Sequence, residues 1–193
     1  MTIEPDFDVV RILEALADGG VEYVVVGAVT ARMLGSSVVT RDLDVCYSRD
    51  EANLEALAAV LRGLNARLRG AERDVPFRLE AKTLRAGDTF TFTTDAGDLD
   101  VLGTPSGTAG YQDLVRTAEP VEIAGRTVLA ASVGDLIRMK RAAGRPKDLL
   151  QVELLAALQE ELDDRARRPG DQRPKPSLYS AVDGPRVRRS PPG

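Results

Sequence analysis

Two hydrophobic rhythms alternate along the chain. Behind Asp6, the residues Val9, Val10, Ile12, Leu13 and Leu16 recur at helical spacing, and Gly19-Gly20 closes the run, which predicts a helix over residues 6–18. The β-branched run VEYVVVG, residues 21–27, is too short for a helix and reads as a buried strand. AVTARML then predicts a short helix ending at Gly35, and LDVCYS a second strand. EANLEALAAVLRGL follows as a helix with Leu54, Leu57, Leu61 and Leu64 on one face. From about residue 75 the period drops to two through FRLEAKTL, DTFTFTT and DLDVLG, with turns at Gly87 and Ala96-Gly97, which predicts more strands in the same sheet. YQDLVRTA reads as a short helix and VEIAGRTVLAA as a hairpin turning at Ala124-Gly125. Ser132 with Asp135 forms a capping box that opens the helix SVGDLIRMKRAAG. Pro146 suits the first turn of a last helix, PKDLLQVELLAALQEELDD.

Strands and helices intermixed in this way predict one α+β domain over residues 1–162. With 193 residues, 43% of them hydrophobic, the chain can build one sizeable core. Residues 163–193 change character to proline and arginine with few apolar positions, and are expected to be disordered or to fold only on a partner. No apolar stretch is long enough to span a bilayer, and the acidic first twenty residues lack a secretory signal, so a soluble cytoplasmic protein is expected.

Composition narrows the chemistry. There is no histidine and a single cysteine, Cys46, which excludes an intramolecular disulfide, a Ser-His-Asp triad, a Cys-His pair and a His-ligated zinc. An enzyme built from this chain works with carboxylates, lysines, hydroxyls and an oxygen-bound metal, for which Mg²⁺ is the natural candidate. Charge is unevenly spread. The tail carries +4, which leaves −8 for residues 1–162, so contact with nucleic acid would need a local basic patch.

Three places in the sequence bear chemistry. Gly27 ends a strand and opens a helix, where a phosphate can approach the backbone, although the same glycine also serves a simple tight turn. Asp42 and Asp44 lie two apart on a strand and therefore on one face, with Leu43 and Val45 on the other. Two carboxylates so placed repel unless a cation sits between them, but an isolated pair also fits a solvated strand edge. A second pair, Asp98 and Asp100, repeats the alternation. The turn-rich DAGD segment assigns Asp98 to the turn and Asp100 to the strand. Carboxylates from two strands of one sheet can hold two metal ions for phosphoryl or nucleotidyl transfer.

These residues resemble a known family. VVVGAVTARMLGSSVVTRDLDV is similar to the opening motif of minimal nucleotidyltransferases of the DNA polymerase beta superfamily, in particular the AbiEii-type or MenT-like toxin branch. Gly27, Gly35, Thr40, Asp42 and Asp44 fall on that pattern, and DLIRMKRAAGRPKDLLQVELL resembles the second signature through Lys140, Arg145, Lys147 and Asp148. Two positions depart from it: Ala28 stands where a second Gly or a Ser is usual, and Val38 where an Arg is usual.

The resemblance implies the nucleotidyltransferase fold, a twisted mixed sheet flanked by helices. It also implies Asp42, Asp44 and Asp100 as ligands of two Mg²⁺ ions that carry an NTP, with Asp100 helping to activate the acceptor hydroxyl. Lys140 would hold the β- and γ-phosphates, and the backbone at Gly27 and Ala28 would touch phosphate oxygens. Thr40, Arg145 and Lys147 complete the implied nucleotide site, and Asp148 positions Lys140 or meets a base or sugar. By the toxin likeness the acceptor is a tRNA 3′ end, met by a rim of Arg138, Lys140, Arg141, Arg145 and Lys147, and a cognate antitoxin silences the protein. The competing expectations are a small-molecule acceptor of the aminoglycoside type, a protein hydroxyl, or a catalytically silent binding module. A deep acidic pocket without a basic rim would favour the aminoglycoside type, because those substrates are polycations.

Overall fold

The computed structural model describes residues 7–36, 40–70 and 77–167. In chain order the elements are α1 (Val9–Asp18), β1 (Tyr23–Val26), α2 (Gly27–Met33), β2 (Asp42–Tyr47), α3 (Glu51–Gly63), β3 (Arg67–Leu68) and α4 (Ala81–Ala86). They continue with β4 (Thr89–Thr94), β5 (Gly97–Leu102), α5 (Tyr111–Leu114), β6 (Glu119–Ile123), β7 (Arg126–Ala130), α6 (Val133–Ala143) and α7 (Pro146–Arg167).

Among the described residues the strands form one seven-stranded sheet in the order β3-β4-β5-β2-β1-β7-β6. The sheet is mixed. β2 runs parallel to β5 and β1 parallel to β7, while the remaining neighbours are antiparallel. All four residues of β1 are buried, because helices cover both faces of the sheet there. Tyr23 and Val25 join Leu43, Val45, Leu99 and Val101 in a core with α1 and α3. Val24 and Val26 pack on the opposite side with Cys46, Leu114, Leu136 and Leu155, under α5, α6 and α7. The two sets alternate residue by residue, as the strand period requires.

That alternation explains the aspartates. On β2 the apolar side, Leu43, Val45 and Tyr47, goes to the first core, and Asp42, Asp44 and Cys46 face the other way. Cys46 is covered by the second helical layer, whereas Asp42 and Asp44 are only partly buried. The sheet is uncovered at the start of β2, and carboxylates can stand there in contact with solvent.

Local signals account for most element ends. Asp8 caps α1 by accepting from the Arg11 N–H at 3.0 Å; Asp6, which the spacing suggests as the start, lies outside the described residues. Ser132 caps α6 by accepting from the Asp135 N–H at 3.1 Å, and Gly144 closes that helix with φ of 65°. The β6–β7 hairpin turns through Ala124 and Gly125, both with positive φ, as a two-residue loop requires.

Two expectations are corrected, and one short strand, β3, is added to those the periodicity predicts. FRLEAKTL is not a strand: residues 81–86 form α4, whose Leu84 is fully buried, and the alternation of Phe77, Leu79 and Ala81 ends at the first residue of that helix. β3 is only two residues long, too short for any period to show. Asp98 does not belong to the turn. Asp95 and Ala96 alone make the turn, so β5 already starts at Gly97 and pairs Asp98 with both Asp42 and Thr93. The last helix runs to Arg167; residues 168–193, most of the expected tail, lie outside the described residues. No described helix is long and apolar enough to cross a membrane.

Candidate active site

Parallel pairing of β2 with β5 places Asp42 beside Asp98 and Asp44 beside Asp100. Because both strands alternate in phase, the four carboxylates share one face of the sheet. Their electrostatics follow from this crowding. Burial, reinforced by the charges of Asp42 and Asp100, pushes the Asp44 carboxyl up to about 7, with Lys140 and Arg69 opposing the rise. Asp100 is also raised, chiefly by burial and by Asp42 and Asp98, although the Arg69 charge opposes the shift.

Arg69 gave no sign of itself in the sequence. It follows β3, its N–H donates to the Thr91 carbonyl at 2.8 Å, and its guanidinium reaches across β4 to β5. There it donates from Nη1 to Asp98 Oδ2 at 2.6 Å and from Nη2 to Asp100 Oδ1 at 2.5 Å. Thr93 adds a hydrogen bond from Oγ1 to Asp98 Oδ1 at 2.9 Å. Thr40 donates its hydroxyl to Asp42 Oδ1 and so holds a carboxylate.

Opposite the sheet stands the junction of α6 and α7. Lys140 Nζ donates to Asp148 Oδ1 at 3.1 Å, and Arg145 Nε donates to Asp148 Oδ2 at 2.8 Å. Asp148 is fully buried. Burial works against its charge, but the two cations outweigh it and hold the carboxyl below the usual carboxylate range. Asp148 therefore ties the end of α6 to the start of α7 and fixes Lys140. The side chain of Lys147 and the whole of Val38 lie outside the described residues.

Between sheet and helices lies a cleft of about 390 Å³ lined by Gly27, Asp44, Asp100, Lys140, Arg145 and Asp148 among others. Ala28 borders an adjoining hollow that it shares with Lys140 and Leu155. The structure thus gathers Gly27, Asp44, Asp100, Lys140, Arg145 and Asp148 around one space, with Asp42 two positions from Asp44 on β2 and Thr40 bonded to Asp42.

Gly27 has a second constraint besides its turn. Its φ is +70°, and a Cβ built there would lie 2.1 Å from Asp44 Oδ2. Gly27→Ala must therefore swing the Asp44 carboxylate away, in addition to straining the backbone by about 1 kcal/mol. If Asp44 serves catalysis, we expect this variant to fold and to lose activity by about two orders of magnitude. Circular dichroism together with a transfer assay checks it, and wild-type turnover would remove Asp44 from the chemistry.

The donor set suits a hard cation, because every candidate ligand is a carboxylate. Among the described residues no group of three or more acidic or cysteine side chains is gathered to hold a metal unaided. Asp42 and Asp44 remain as an adjacent pair. This matches the way Mg²⁺ is commonly bound, through one or two carboxylates with substrate phosphates supplying further ligands.

Sheet order and helical layers are those of the nucleotidyltransferase fold. No protein-family model and no curated protein sequence matches the chain, but solved structures do. The lincosamide antibiotic adenylyltransferase LnuA, in its lincomycin-bound form, superposes with a TM-score of 0.54 and 11% identity, covering 78% of this chain and 96% of that one. A Thermotoga maritima protein provisionally assigned as a nucleotidyltransferase gives 0.46 and 16% identity over 80% of this chain and 89% of that one. The antibiotic-resistance factor ANT(2'')-Ia gives 0.47 and 16% identity over 81% and 89%. At such identities the likeness is one of fold.

Proposed function

We propose that the chain is a Mg²⁺-dependent nucleotidyltransferase that moves NMP from an NTP to a hydroxyl of a small cationic acceptor. Transfer chemistry is supported by one juxtaposition: in-register carboxylates on β2 and β5 face Lys140 across a cleft large enough for a nucleotide. Asp42 and Asp44 would hold the metal, which when bound supplies charge neutralisation on the triphosphate. Lys140 would hold the β- and γ-phosphates and the leaving pyrophosphate. The backbone at Gly27 and Ala28 lies where phosphate oxygens would pass, with Arg145 beside them. Thr40 keeps Asp42 in place. The acceptor oxygen forms its bond to the α-phosphorus as the bond to the β-phosphate oxygen breaks, and the acceptor proton passes to Asp100.

The choice of acceptor rests on the rim. Arg138 is held by Asp113 at 2.9 Å and by Asp135 at 2.7 Å, while Lys140 and Arg145 share Asp148. Arg138 is thus neutralised by its two carboxylates, while Lys140 and Arg145 share only one and keep a single positive charge, which the triphosphate would take up, so these residues leave little for a polyanionic acceptor. The cleft keeps Asp44 and Asp100 on its wall, which favours a cationic acceptor. That LnuA is a lincosamide adenylyltransferase agrees with a small-molecule acceptor. A second reading, a tRNA 3′ end with a cognate antitoxin as the silencing partner, is favoured by exposed Arg141 and by the +4 charge of residues 163–193.

One experiment separates them. The protein is incubated with Mg²⁺ and each labelled NTP, in parallel with total RNA and with a panel of hydroxyl-bearing aminoglycosides and lincosamides. Label on an antibiotic supports the first acceptor and label on RNA the second. With no label in either arm and no NTP binding, the transferase reading fails.

A further inference from the structure

The four-carboxylate face is not uniform, and its division carries the inference. On the β2 half, Asp42 accepts from the neutral hydroxyl of Thr40, and no cation is bonded to Asp44 in the contacts described. On the β5 half, one guanidinium spans both carboxylates, with 2.6 Å to Asp98 and 2.5 Å to Asp100. Guanidinium does not lose its proton in proteins, so a permanent cation is seated between the two carboxylates of this half. Its geometry is supported at every joint. The backbone of Arg69 is fixed to β4 through Thr91, and Thr93 orients Asp98 from the same strand. The short threonines of β4 leave room for a side chain to run from the edge strand to β5.

We infer that Arg69 occupies the place of a second metal ion, so that the chain works with a single divalent cation on Asp42 and Asp44. The inference rests on the transferase reading above. A second divalent ion on Asp100 would have to displace a fork bonded to two carboxylates, or sit within a few ångströms of a fixed cation that already occupies their oxygens. Among the described residues no three carboxylates gather around a metal position, and the guanidinium bonds Asp98 and Asp100 together. In this arrangement Arg69 is a positioning residue: it holds Asp100 by one oxygen at the cleft wall, as a proton acceptor for the incoming hydroxyl.

The test counts metal ions. Full-length protein with a non-hydrolysable α,β-methylene NTP is titrated with Mn²⁺ and followed by electron paramagnetic resonance, which also registers coupling between neighbouring Mn²⁺ ions. Wild type should bind one Mn²⁺ per chain with no spin coupling, and Arg69→Gln should bind two that couple. Arg69→Lys, which restores the charge without the fork, should return the count to one, and circular dichroism of each variant confirms the fold. Two coupled ions in wild type, or one ion in a folded Arg69→Gln, would overturn the inference and leave the transferase reading standing. No Mn²⁺ bound by folded wild type with the NTP analogue would overturn both.

Discussion

Asp44→Asn should abolish nucleotidyl transfer, by at least about a thousandfold, and at the same time make the metal-free protein more stable near neutral pH. The two effects have one cause. Asp44 is the most crowded carboxylate of the site, pressed by burial and by Asp42 and Asp100, and its carboxyl titrates at about 7 instead of 3.8. Between those values the native state holds a proton that the unfolded chain has already released. The stability of the metal-free protein therefore falls as pH rises from about 4 to about 7, and stays reduced above that. Asparagine keeps the shape and removes the titration, so the variant should show a flatter profile of melting temperature against pH and melt higher near pH 8. Mg²⁺ with an NTP analogue should restore the wild-type protein at that pH and leave the variant unmoved. Thermal unfolding across pH, with and without ligand, measures this. A variant that keeps its activity, or that melts lower than wild type at about pH 8, would show that Asp44 is an ordinary polar residue of the strand.

Lys140→Ala should lower the turnover number by about a hundredfold, with a smaller effect on stability. Lys140 faces the carboxylate wall from α6, near enough to Asp44 to lower its pKa, and its ammonium is fixed by buried Asp148. Removing it takes a point charge from the phosphates in the transition state. It also leaves Asp148 with Arg145 alone, at a cost of about 1 kcal/mol, or a few degrees in melting temperature. The paired measurement matters, because an ion pair whose only duty is to join α6 to α7 would show the stability loss without the kinetic one. Steady-state kinetics of pyrophosphate release, set against differential scanning calorimetry, separates the two roles.

How far the site could be read from the sequence depended on whether a residue's role is written in its own neighbourhood. Asp42 and Asp44 stand out because a strand's alternation fixes two side chains to one face wherever the strand lies. The caps at Ser132 and Gly144 and the Ala124-Gly125 turn are equally local. Asp98 was harder, since two residues suffice for the turn that precedes it, and only the pairing with Thr93 and Asp42 shows where the strand resumes. α4 misled because a few alternating apolar residues ahead of it imitate a strand, while its one deeply buried side chain, Leu84, comes later. Arg69 could not be found at all: its partners are 29 and 31 residues away on a strand that is not its neighbour.

By itself, then, the sequence determined the order and kind of most elements, the carboxylate pair on β2, the absence of histidine chemistry, and the helix pair that carries Lys140 and Asp148. These follow from spacing and residue chemistry, which act over one or two turns of chain. The tertiary structure decided which carboxylates stand together, that Arg138, Lys140 and Arg145 are paired with Asp113, Asp135 and Asp148, and that Arg69 holds one half of the acidic face. Those facts depend on strand order and on the meeting of side chains far apart in the chain, and a charge shows what it is for only when its partner is in place.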